Sequence, residues 1–208
     1  MTEHCIIFAG GDPVSSETFH KFRPDNAYVI AADKGVALAK SLGIEADLIL
    51  GDFDSLGYRP QGDSVLSYPV EKDDTDLMLA VNEGLARGHK DFYIFGACGG
   101  RLDHMVGNIR CLALLLENGA QGIIIGDTER VSLHRAGEYT FPYEEGFSLS
   151  FFAHSEKVTD LCISGTKYTA DNVTLKNAST LGVSNEINSP CAKVSFSDGI
   201  LLAVRSKL

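Results

Sequence analysis

The sequence has few cations for its length and no long apolar run. Its 208 residues contain 18 Lys and Arg against 28 Asp and Glu, which gives a formal net charge of −10. A nucleic-acid-binding protein must place many cations along the phosphates, so this balance argues against that class of protein. No stretch approaches the roughly 20 apolar residues that cross a bilayer, so we expect no membrane span. No basic region precedes the first short apolar run, so we also expect no signal peptide.

Paired cysteines are absent as well. The five cysteines are odd in number and widely spaced, and no Cys-x-x-Cys motif occurs. They are Cys5, Cys98, Cys111, Cys162 and Cys191. Most of them lie in apolar stretches, which favours buried free thiols in a reducing cytoplasm over a disulfide framework or a metal site.

Two nucleotide-binding motifs and a zinc pattern are also missing. No G-x-x-x-x-G-K-[ST] occurs, which excludes a P-loop enzyme, and no G-x-G-x-x-G follows the first predicted strand. Most of the histidines have no mutual spacing that is typical of zinc ligands, and we expect them at the surface. These are His4, His20, His89, His134 and His154.

The first ~125 residues alternate short apolar runs with helical patterns, which is typical of α/β proteins. The predicted strands are Cys5–Ala9, Tyr28–Ala32, Leu48–Leu50, Val65–Tyr68, Phe92–Phe95 and Gly122–Ile125. Continuous apolar strands that alternate with helices predict a parallel sheet with helices on both faces.

Three helices are predicted between these strands. The first runs from Ala37 to Gly43, and the second begins after the N-cap Thr75 and stops at Gly88. The third ends at Asn118-Gly119, and its apolar residues share one face. These residues are Leu102, Val106, Ile109, Ala113 and Leu116.

After about Thr128 the hydrophobic period changes to two, as in residues 147–151, 173–175 and 194–196. Short alternating strands between Gly, Asn and Asp turns predict a small antiparallel sandwich or barrel. We therefore divide the chain into an α/β domain of residues 1–128 and a β domain of residues 129–208. A β domain of roughly 80 residues is only marginally stable alone, so we expect it to pack on the first domain or on a second subunit.

Glycines and polar residues follow five of the predicted strands. The segments are Gly10-Gly11-Asp12-Pro13, Asp33-Lys34-Gly35, Gly51-Asp52-Phe53-Asp54-Ser55, Lys72-Asp73-Asp74-Thr75-Asp76 and Gly96 to His104. If the strands are parallel, all five segments lie at one edge of the sheet, where open parallel sheets bind their ligands. The sequence therefore predicts an acidic, glycine-lined crevice.

The carboxylates of these segments are hard oxygen ligands of the kind that Mg²⁺ prefers. They are Asp52, Asp54, Asp73, Asp74 and Asp76. A divalent metal would also let an acidic protein contact a polyphosphate. The competing interpretation is a solvated turn, because Thr75 and Asp76 are also typical of the start of a helix.

The segment Gly96 to His104 leads from a strand into a helix. Backbone N–H groups at a helix N-terminus bind anions, and Arg101 adds a bidentate phosphate donor. The competing interpretation is an ion pair between Arg101 and Asp103. Later in the chain, Ser184-Asn185-Glu186 is either a simple turn or a source of hydrogen bonds to the edge of a heterocycle.

Four segments, in this order, resemble those of the thiamine pyrophosphokinase family. They are Gly51 to Ser55, Lys72 to Asp76, Gly100 to His104 and Ser184 to Glu186. The resemblance implies transfer of a pyrophosphoryl group from ATP to the hydroxyl group of thiamine, with release of AMP. It also implies a Rossmann-like parallel-sheet domain that binds ATP, followed by a smaller antiparallel β-sandwich domain that binds thiamine. The family works as a homodimer with its active site at the subunit interface.

Matching positions imply a role for each site residue. Asp52, Asp54 and Asp76 would bind Mg²⁺, while Ser184 and Asn185 would contact thiamine. The ATP-binding residues would be Gly10, Gly11, Asp33, Lys34, Lys72, Asp73, Gly99, Gly100, Arg101 and His104. The catalytic residues would be Asp76, Arg101 and Asp103. Family members often place a tryptophan against the thiamine ring, and this chain has none, so Ile200 or a neighbouring apolar residue would take its place.

Two other functions remain open. The apolar strand that ends in Asp52-Phe53-Asp54 is similar to the nucleophile strand of haloacid-dehalogenase-type phosphohydrolases, although here two strands precede it. A non-catalytic sensor would bind the nucleotide and thiamine without forming AMP.

Overall fold

The computed structural model describes residues 3–53, 62, 64–69 and 73–208. Two predicted site residues, Asp54 and Lys72, lie outside these described residues. The chain divides into two compact units, Met1–Asp127 and Thr128–Leu208, and each is described by itself. None of the helices in the described ranges combines the length and the hydropathy that a bilayer crossing requires.

In the described part of the first unit, six strands form one sheet. They are β1 (His4–Phe8), β2 (Tyr28–Ala32), β3 (Leu48–Gly51), β4 (Val65–Ser67), β5 (Asp91–Phe95) and β6 (Gln121–Ile125). Their order is β6-β5-β1-β2-β3-β4, and each of these pairings is parallel, as predicted. The strand order reverses between β1 and β5, because the chain first runs outward to β4 and then returns to the other side of β1.

Four helices connect these strands in the described residues. They are α1 (Ser16–Phe22), α2 (Gly35–Ser41), α3 (Asp76–Ala86) and α4 (Leu102–Glu117). Thr75 caps α3 as predicted, because its hydroxyl oxygen accepts the Met78 N–H at 3.2 Å. Gly88 follows the end of α3 with φ +85°, which confirms the predicted stop.

The helices lie on both faces of the sheet, which confirms the prediction. On one face Phe8 of β1 packs against Phe19 of α1, with 5.5 Å between the ring centroids, and α2 contacts β1 and β2. On the other face a Cβ at Gly84 of α3 would lie 2.5 Å from the Phe92 ring and 3.4 Å from the Cys5 sulfur. Because successive strand residues point to opposite faces, Cys5 and Phe8 contact different helices.

The predicted apolar face of α4 is wrong for its first two turns. Leu102 is 79% exposed and Val106 is 50% exposed. The buried residues of α4 are Cys111, Leu112, Leu115 and Leu116. Two apolar rows run along this helix, and periodicity alone does not tell which of them meets the sheet.

The described strands of the second unit pair in antiparallel fashion, as predicted. They are β7 (Glu129–Pro142), β8 (Phe147–Ala153), β9 (Lys157–Ser164), β10 (Ala170–Lys176) and β11 (Cys191–Lys207). Their order is β10-β9-β11-β7, and β8 also pairs with β11. The first half of β11 pairs with β9 and the second half with β8, on either side of a register shift between Phe196 and Ile200. The side chains of these strands form one core, which includes Phe151, Val158 and Leu201.

The surface prediction is wrong for His89, which is only 3% exposed, and His134 is half-buried. The His89 ring stacks on Tyr28 with 5.2 Å between the centroids, an aromatic contact that the sequence pattern did not indicate. All five cysteines lie in the described part of the chain as free thiols; Cys5, Cys98 and Cys111 are buried as predicted, whereas Cys162 and Cys191 are only half-buried. Burial raises the pKa of both Cys5 and Cys111 to about 12.

Candidate active site

The loops after β1 and β5 are in direct contact at the carboxyl edge of the parallel sheet. The Gly11 N–H donates to the carbonyl oxygen of Gly96 at 2.6 Å, and the Asp12 N–H donates to that of Cys98 at 2.9 Å. A Cβ at Gly11 would lie 2.6 Å from the Gly96 oxygen and 2.7 Å from the Cys98 oxygen, so only glycine fits there. The contact joins the two strands at which the strand order reverses, where open parallel sheets bind their ligands.

The loops after β2 and β3 adjoin the same place. A Cβ at Gly10 would lie 3.0 Å from the Cβ of Lys34, and one at Gly51 would lie 3.2 Å from the Cα of Asp33. The Asp33 N–H donates to the carbonyl oxygen of Leu50 at 2.8 Å. Asp33 has φ +46°, a left-handed conformation that Asp tolerates better than most residues. The predicted meeting of the first three strand-end segments is therefore confirmed.

Two of the three predicted metal ligands lie on elements of this edge. Asp52 directly follows β3 and is half-buried, and Asp76 is the half-buried first residue of α3. The helix α3 packs against β1, β2 and β3. Among the described residues, no group of three His, Cys, Asp or Glu side chains forms a metal site. Asp54 lies outside those residues, so the three-carboxylate set stays a prediction.

Asp12 is a residue of this edge to which the sequence analysis gave no role. A Cβ at Gly99 would lie 1.9 Å from an oxygen of the Asp12 carboxylate, so this carboxylate rests directly on the loop after β5. Gly99 and Gly100 have φ +72° and +67°, conformations that favour glycine. The sequence signal for Asp12 is its place among the glycines and polar residues that directly follow the first strand.

Asn108 of α4 is a second such residue. Its side-chain amide donates to the carbonyl oxygen of Ala97 at 2.8 Å, which ties the loop after β5 to the helix that follows it. Asn108 lies four residues after His104 and therefore on the same face of α4. In the sequence, this spacing was the signal for Asn108, because it places the amide on the same side of α4 as His104.

Arg101 and Asp103 form an ion pair at the N-terminus of α4. The Arg101 Nε donates to one carboxylate oxygen at 3.0 Å and its Nη2 donates to the other. The hydrogen bond from Arg101 lowers the pKa of Asp103 and raises that of Arg101. The two side chains are 74% and 61% exposed, and the His104 N–H also donates to Asp103 at 2.9 Å. The ion pair that the sequence offered as the competing interpretation therefore exists in the structure. The exposed guanidinium is still accessible to a phosphate.

In the second unit, the Asn185 side chain holds the backbone of Tyr168. Its oxygen accepts the Tyr168 N–H at 3.0 Å, and its nitrogen donates to the Tyr168 carbonyl oxygen at 2.6 Å. Asn185 is only 5% exposed. Ser184 is exposed, has φ +57°, and its N–H donates to the Ser150 hydroxyl at 2.9 Å. Asn185 also pairs with Leu149 in an isolated antiparallel bridge, so the turn interpretation fits Ser184, whose side chain faces solvent.

An apolar cavity of about 400 Å³ lies beside Asn185. Its lining includes the buried Phe151 and three exposed side chains, Tyr168, Leu181 and Val183. Large apolar side chains this exposed mark binding surfaces, and the volume lies in the range of small-molecule sites. Among the described residues that line the cavity, Ile200 is absent. Tyr168 supplies an exposed aromatic ring at this place.

A cation already lies near that ring. The Lys167 ammonium is 5.6 Å from the Tyr168 ring centroid and 2.9 Å from a carboxylate oxygen of Glu186. The face of the Tyr168 ring and the Glu186 carboxylate therefore both attract the positive charge of Lys167. The cavity itself presents an exposed aromatic ring and apolar walls, which suit a planar aromatic ligand.

Comparisons with known proteins agree with the order of the two units. Residues 19–125 match the family described as thiamin pyrophosphokinase, catalytic domain, and residues 138–201 match thiamin pyrophosphokinase, vitamin B1 binding domain. The chain is 31% identical over 207 residues to the thiamine pyrophosphokinase of Bacillus subtilis, covering 96% of this chain and 97% of that protein.

Solved structures are similar over the full length. The crystal structure of the Bacillus subtilis thiamine pyrophosphokinase has a TM-score of 0.87 at 29% identity and covers 99% of both chains. The thiamin pyrophosphokinase of Geobacillus thermodenitrificans has a TM-score of 0.81 at 27% identity, covering 99% of this chain and 97% of that one. The parallel sheet with helices on both faces and the matching family models define an α/β enzyme. The chain belongs to the thiamine pyrophosphokinase family.

Proposed function

We propose that this protein transfers the pyrophosphoryl group of ATP to the hydroxyl group of thiamine, which yields thiamine diphosphate and AMP. Family membership along both units supports the reaction. The observation that carries the assignment of the site is the contact between Gly11 and the loop after β5, at the reversal of the strand order. It brings two glycine-rich loops together at the edge where a nucleotide binds in such sheets.

The proposed architecture has two parts. Residues 1–128 form a Rossmann-like catalytic domain, and its support is the parallel sheet with helices on both faces. Residues 129–208 form a β-sandwich domain that binds thiamine. Its support is β11, which exchanges β9 for β8 as its partner at the register shift, a feature typical of strands that turn the corner between two packed sheets.

The nucleotide lies along the strand-end loops in this proposal. Backbone N–H groups at glycines approach phosphates closely, because no side chain intervenes. Lys34 and His104 add cationic or hydrogen-bonding groups, and Lys72 would do so from outside the described residues. The full proposed set is Gly10, Gly11, Asp33, Lys34, Lys72, Asp73, Gly99, Gly100, Arg101 and His104.

The residues of the edge fit a divalent cation. Asp52, directly after β3, and Asp76, the first residue of α3, are hard oxygen donors. The strand and the helix pack together, and Asp54 follows Asp52 by two residues. We assign these three carboxylates to Mg²⁺, which suits carboxylate and phosphate oxygens. When bound, the ion neutralises charge on the phosphates of ATP.

The roles of Arg101 and Asp103 follow from their pairing. Asp103 holds the guanidinium plane in a fixed orientation, so Arg101 is preorganised to stabilise charge on the transferred phosphoryl oxygens. The lowered pKa of Asp103 makes it a weak proton acceptor. A carboxylate bound to Mg²⁺ is a weak proton acceptor too, so both Asp76 and Asp103 stay candidates for accepting the proton of the thiamine hydroxyl.

Thiamine binds in the second unit in this proposal, at the cavity beside Asn185. Tyr168 provides the aromatic surface in place of the missing tryptophan, and Asn185 fixes the backbone of Tyr168. The exposed Ser184 hydroxyl donates or accepts a hydrogen bond at the heterocycle edge. The net charge of −10 favours the approach of a cationic substrate.

We also propose a cytoplasmic homodimer with the active site at the subunit interface. Five free thiols are typical of a reducing compartment. Leu102 and Val106 are exposed apolar residues next to Arg101, a position typical of a surface that a second subunit covers. Sedimentation equilibrium measures the mass in solution, and a monomer at working concentration would contradict the dimer.

One assay tests the function against its alternatives. The protein is incubated with ATP, Mg²⁺ and thiamine, and AMP, inorganic phosphate and thiamine diphosphate are then resolved by chromatography. We expect AMP and thiamine diphosphate in equal amounts, and none without thiamine. Release of inorganic phosphate alone would indicate a phosphohydrolase, and binding of both ligands without AMP would indicate a sensor.

A further inference from the structure

Asp127 lies at the carboxyl edge of the parallel sheet, two residues beyond the end of β6. Its carboxylate accepts the Ser15 N–H with both oxygens, each at 3.0 Å, and accepts the Ser15 hydroxyl at 2.8 Å. The two residues are 112 positions apart in the chain. The sheet order places β5 between β6 and β1, so this contact joins the exits of two strands that are not neighbours.

Ser15 connects the carboxylate to helix α1. The Ser15 hydroxyl oxygen accepts the Thr18 N–H at 3.2 Å and so caps the N-terminus of α1. Negative charge near a helix N-terminus is stabilising, and hydrogen bonds to a carboxylate are stronger than those between neutral groups. Ser15 is therefore held on both sides, by its helix and by Asp127.

The loop of residues 10–14 lies between two anchored points. At its start the Gly11 and Asp12 N–H groups bind the loop after β5, and at its end Ser15 binds Asp127. A loop that is held at both ends loses little further entropy when it binds a ligand, which favours affinity. Without Asp127 the second anchor is lost while the first remains.

We propose that Asp127 is a positioning residue for this loop, and that it acts through Ser15. The inference rests on the proposed function, because it takes residues 10–12 to bind ATP. It assigns Asp127 no contact with substrate. Its effect is therefore expected in the KM for ATP, with the KM for thiamine unchanged.

The test compares Asp127→Ala with a matched carboxylate elsewhere in the same sheet. Asp47 is exposed, and its carboxylate accepts the Val29 N–H at 2.8 Å where β2 begins, at the opposite edge. Asp47→Ala therefore removes a similar hydrogen bond without touching the loop. For both variants kcat and both KM values are measured by AMP formation, and the melting temperature by scanning fluorimetry.

We expect Asp127→Ala to raise the KM for ATP by about fivefold, the size of one lost hydrogen bond expressed as affinity. The KM for thiamine and the kcat stay near wild type. We expect Asp47→Ala to lower the melting temperature to a similar extent with both KM values unchanged. Ser15→Ala, which keeps the N–H but loses the hydroxyl, raises the KM for ATP by about twofold, and Ser15→Thr restores it.

Three outcomes would overturn the inference. The first is an unchanged KM for ATP in Asp127→Ala, and the second is an equal rise in Asp47→Ala. If Asp127→Ala does not fold, an unchanged KM for ATP in Ser15→Ala is the third. Wild-type protein that forms no AMP would instead contradict the proposed function, and the inference with it.

Discussion

Gly11 and Gly96 are joined by a backbone hydrogen bond of 2.6 Å, although the two residues are 85 positions apart in the chain. The N–H of Gly11 is the donor, and the absence of a side chain is what allows the approach. The contact fixes the two glycine-rich loops relative to each other. Any residue that separates them should disturb the nucleotide site before it disturbs the sheet.

Replacement of Gly11 by alanine tests this directly. The new Cβ would lie 2.6 Å and 2.7 Å from two backbone oxygens, so the loops must move apart at a cost of about 1–3 kcal/mol. We expect AMP formation to fall by at least about tenfold. The control is Gly107→Ala, where the Cβ meets nothing within 4 Å on α4. That variant should stay active and gain about 0.5–1 kcal/mol in the free energy of unfolding, measured by urea titration.

Replacement of Asp76 by asparagine tests the metal assignment. The change keeps the size of the side chain and removes its charge, and we expect AMP formation to fall by at least about a hundredfold. Asp52→Asn and Asp54→Asn should behave in the same way. Asp25→Asn, an exposed change between α1 and β2, serves as the control. Near-normal turnover in the first three variants, with wild-type melting temperatures, would remove the metal site.

Tyr168 is predicted to set the affinity for thiamine. Truncation to alanine removes the exposed ring at the cavity, and we expect the KM for thiamine to rise by about tenfold while that for ATP is unchanged. Tyr168→Phe keeps the ring and should stay near wild type. Tyr143→Ala is a matched control, because Tyr143 is 55% exposed in the same unit and does not line the cavity. Equal effects of the two alanine variants would contradict the assignment.

His134 makes the stability of the second unit depend on pH. Burial lowers its pKa to about 4, and its ring lies 4.4 Å from that of Tyr139. In the unfolded chain its pKa is about 6.5. Between these values the unfolded state binds a proton that the folded state does not, so stability is complete above pH 6.5 and falls as the pH drops toward 4.

Urea titrations at pH 7, 6 and 5 measure this effect. The free energy of unfolding of the wild type should fall with pH by up to about 1.4 kcal/mol per pH unit more than that of His134→Gln. His20→Gln, at an exposed position of α1, should keep the wild-type slope. Parallel slopes for wild type and His134→Gln would show that another group is responsible.

The thiols should differ widely in reactivity. Because burial raises the pKa of Cys5 and Cys111 to about 12, only about one in ten thousand of either is a thiolate at pH 8. We expect a disulfide reagent to modify the half-buried Cys162 and Cys191 first, and Cys5 and Cys111 only on unfolding. Peptide mass spectrometry identifies the labelled sites. Rapid labelling of Cys5 or Cys111 in the folded protein would contradict this order.

The elements that the sequence predicts are those with a local, regular signal. The six strands of the first unit are short apolar runs bounded by polar residues, and their parallel pairing follows from the alternation with helices. Helix α1 (Ser16–Phe22) is not predicted, because its seven residues bury only Thr18 and Phe19 and show no period. Strand β9 is not predicted either, because Asp160 has φ +54° and interrupts the alternation between Val158 and Leu161.

The segments that form the candidate site are predictable from the same local signals, whereas the contacts between them are not. The sequence indicates which segments leave the carboxyl edge, and the parallel sheet brings them together. The contacts of Asp12 with Gly99 and of Asp127 with Ser15 are not predictable, because they depend on the order of β6, β5 and β1 across the sheet. That order is set by packing between distant parts of the chain, which periodicity does not report.

The long strand β11 has a consequence for protein synthesis. It comes after β7, β8 and β9 in the chain and pairs with all three. These strands therefore leave the ribosome with exposed edges, and their hydrogen bonds to β11 form only after residues 191–207 have been synthesised. A ribosome that stalls before this point would hold a chain in which the six described strands of the first unit are complete, while β7, β8 and β9 are open to proteases and chaperones.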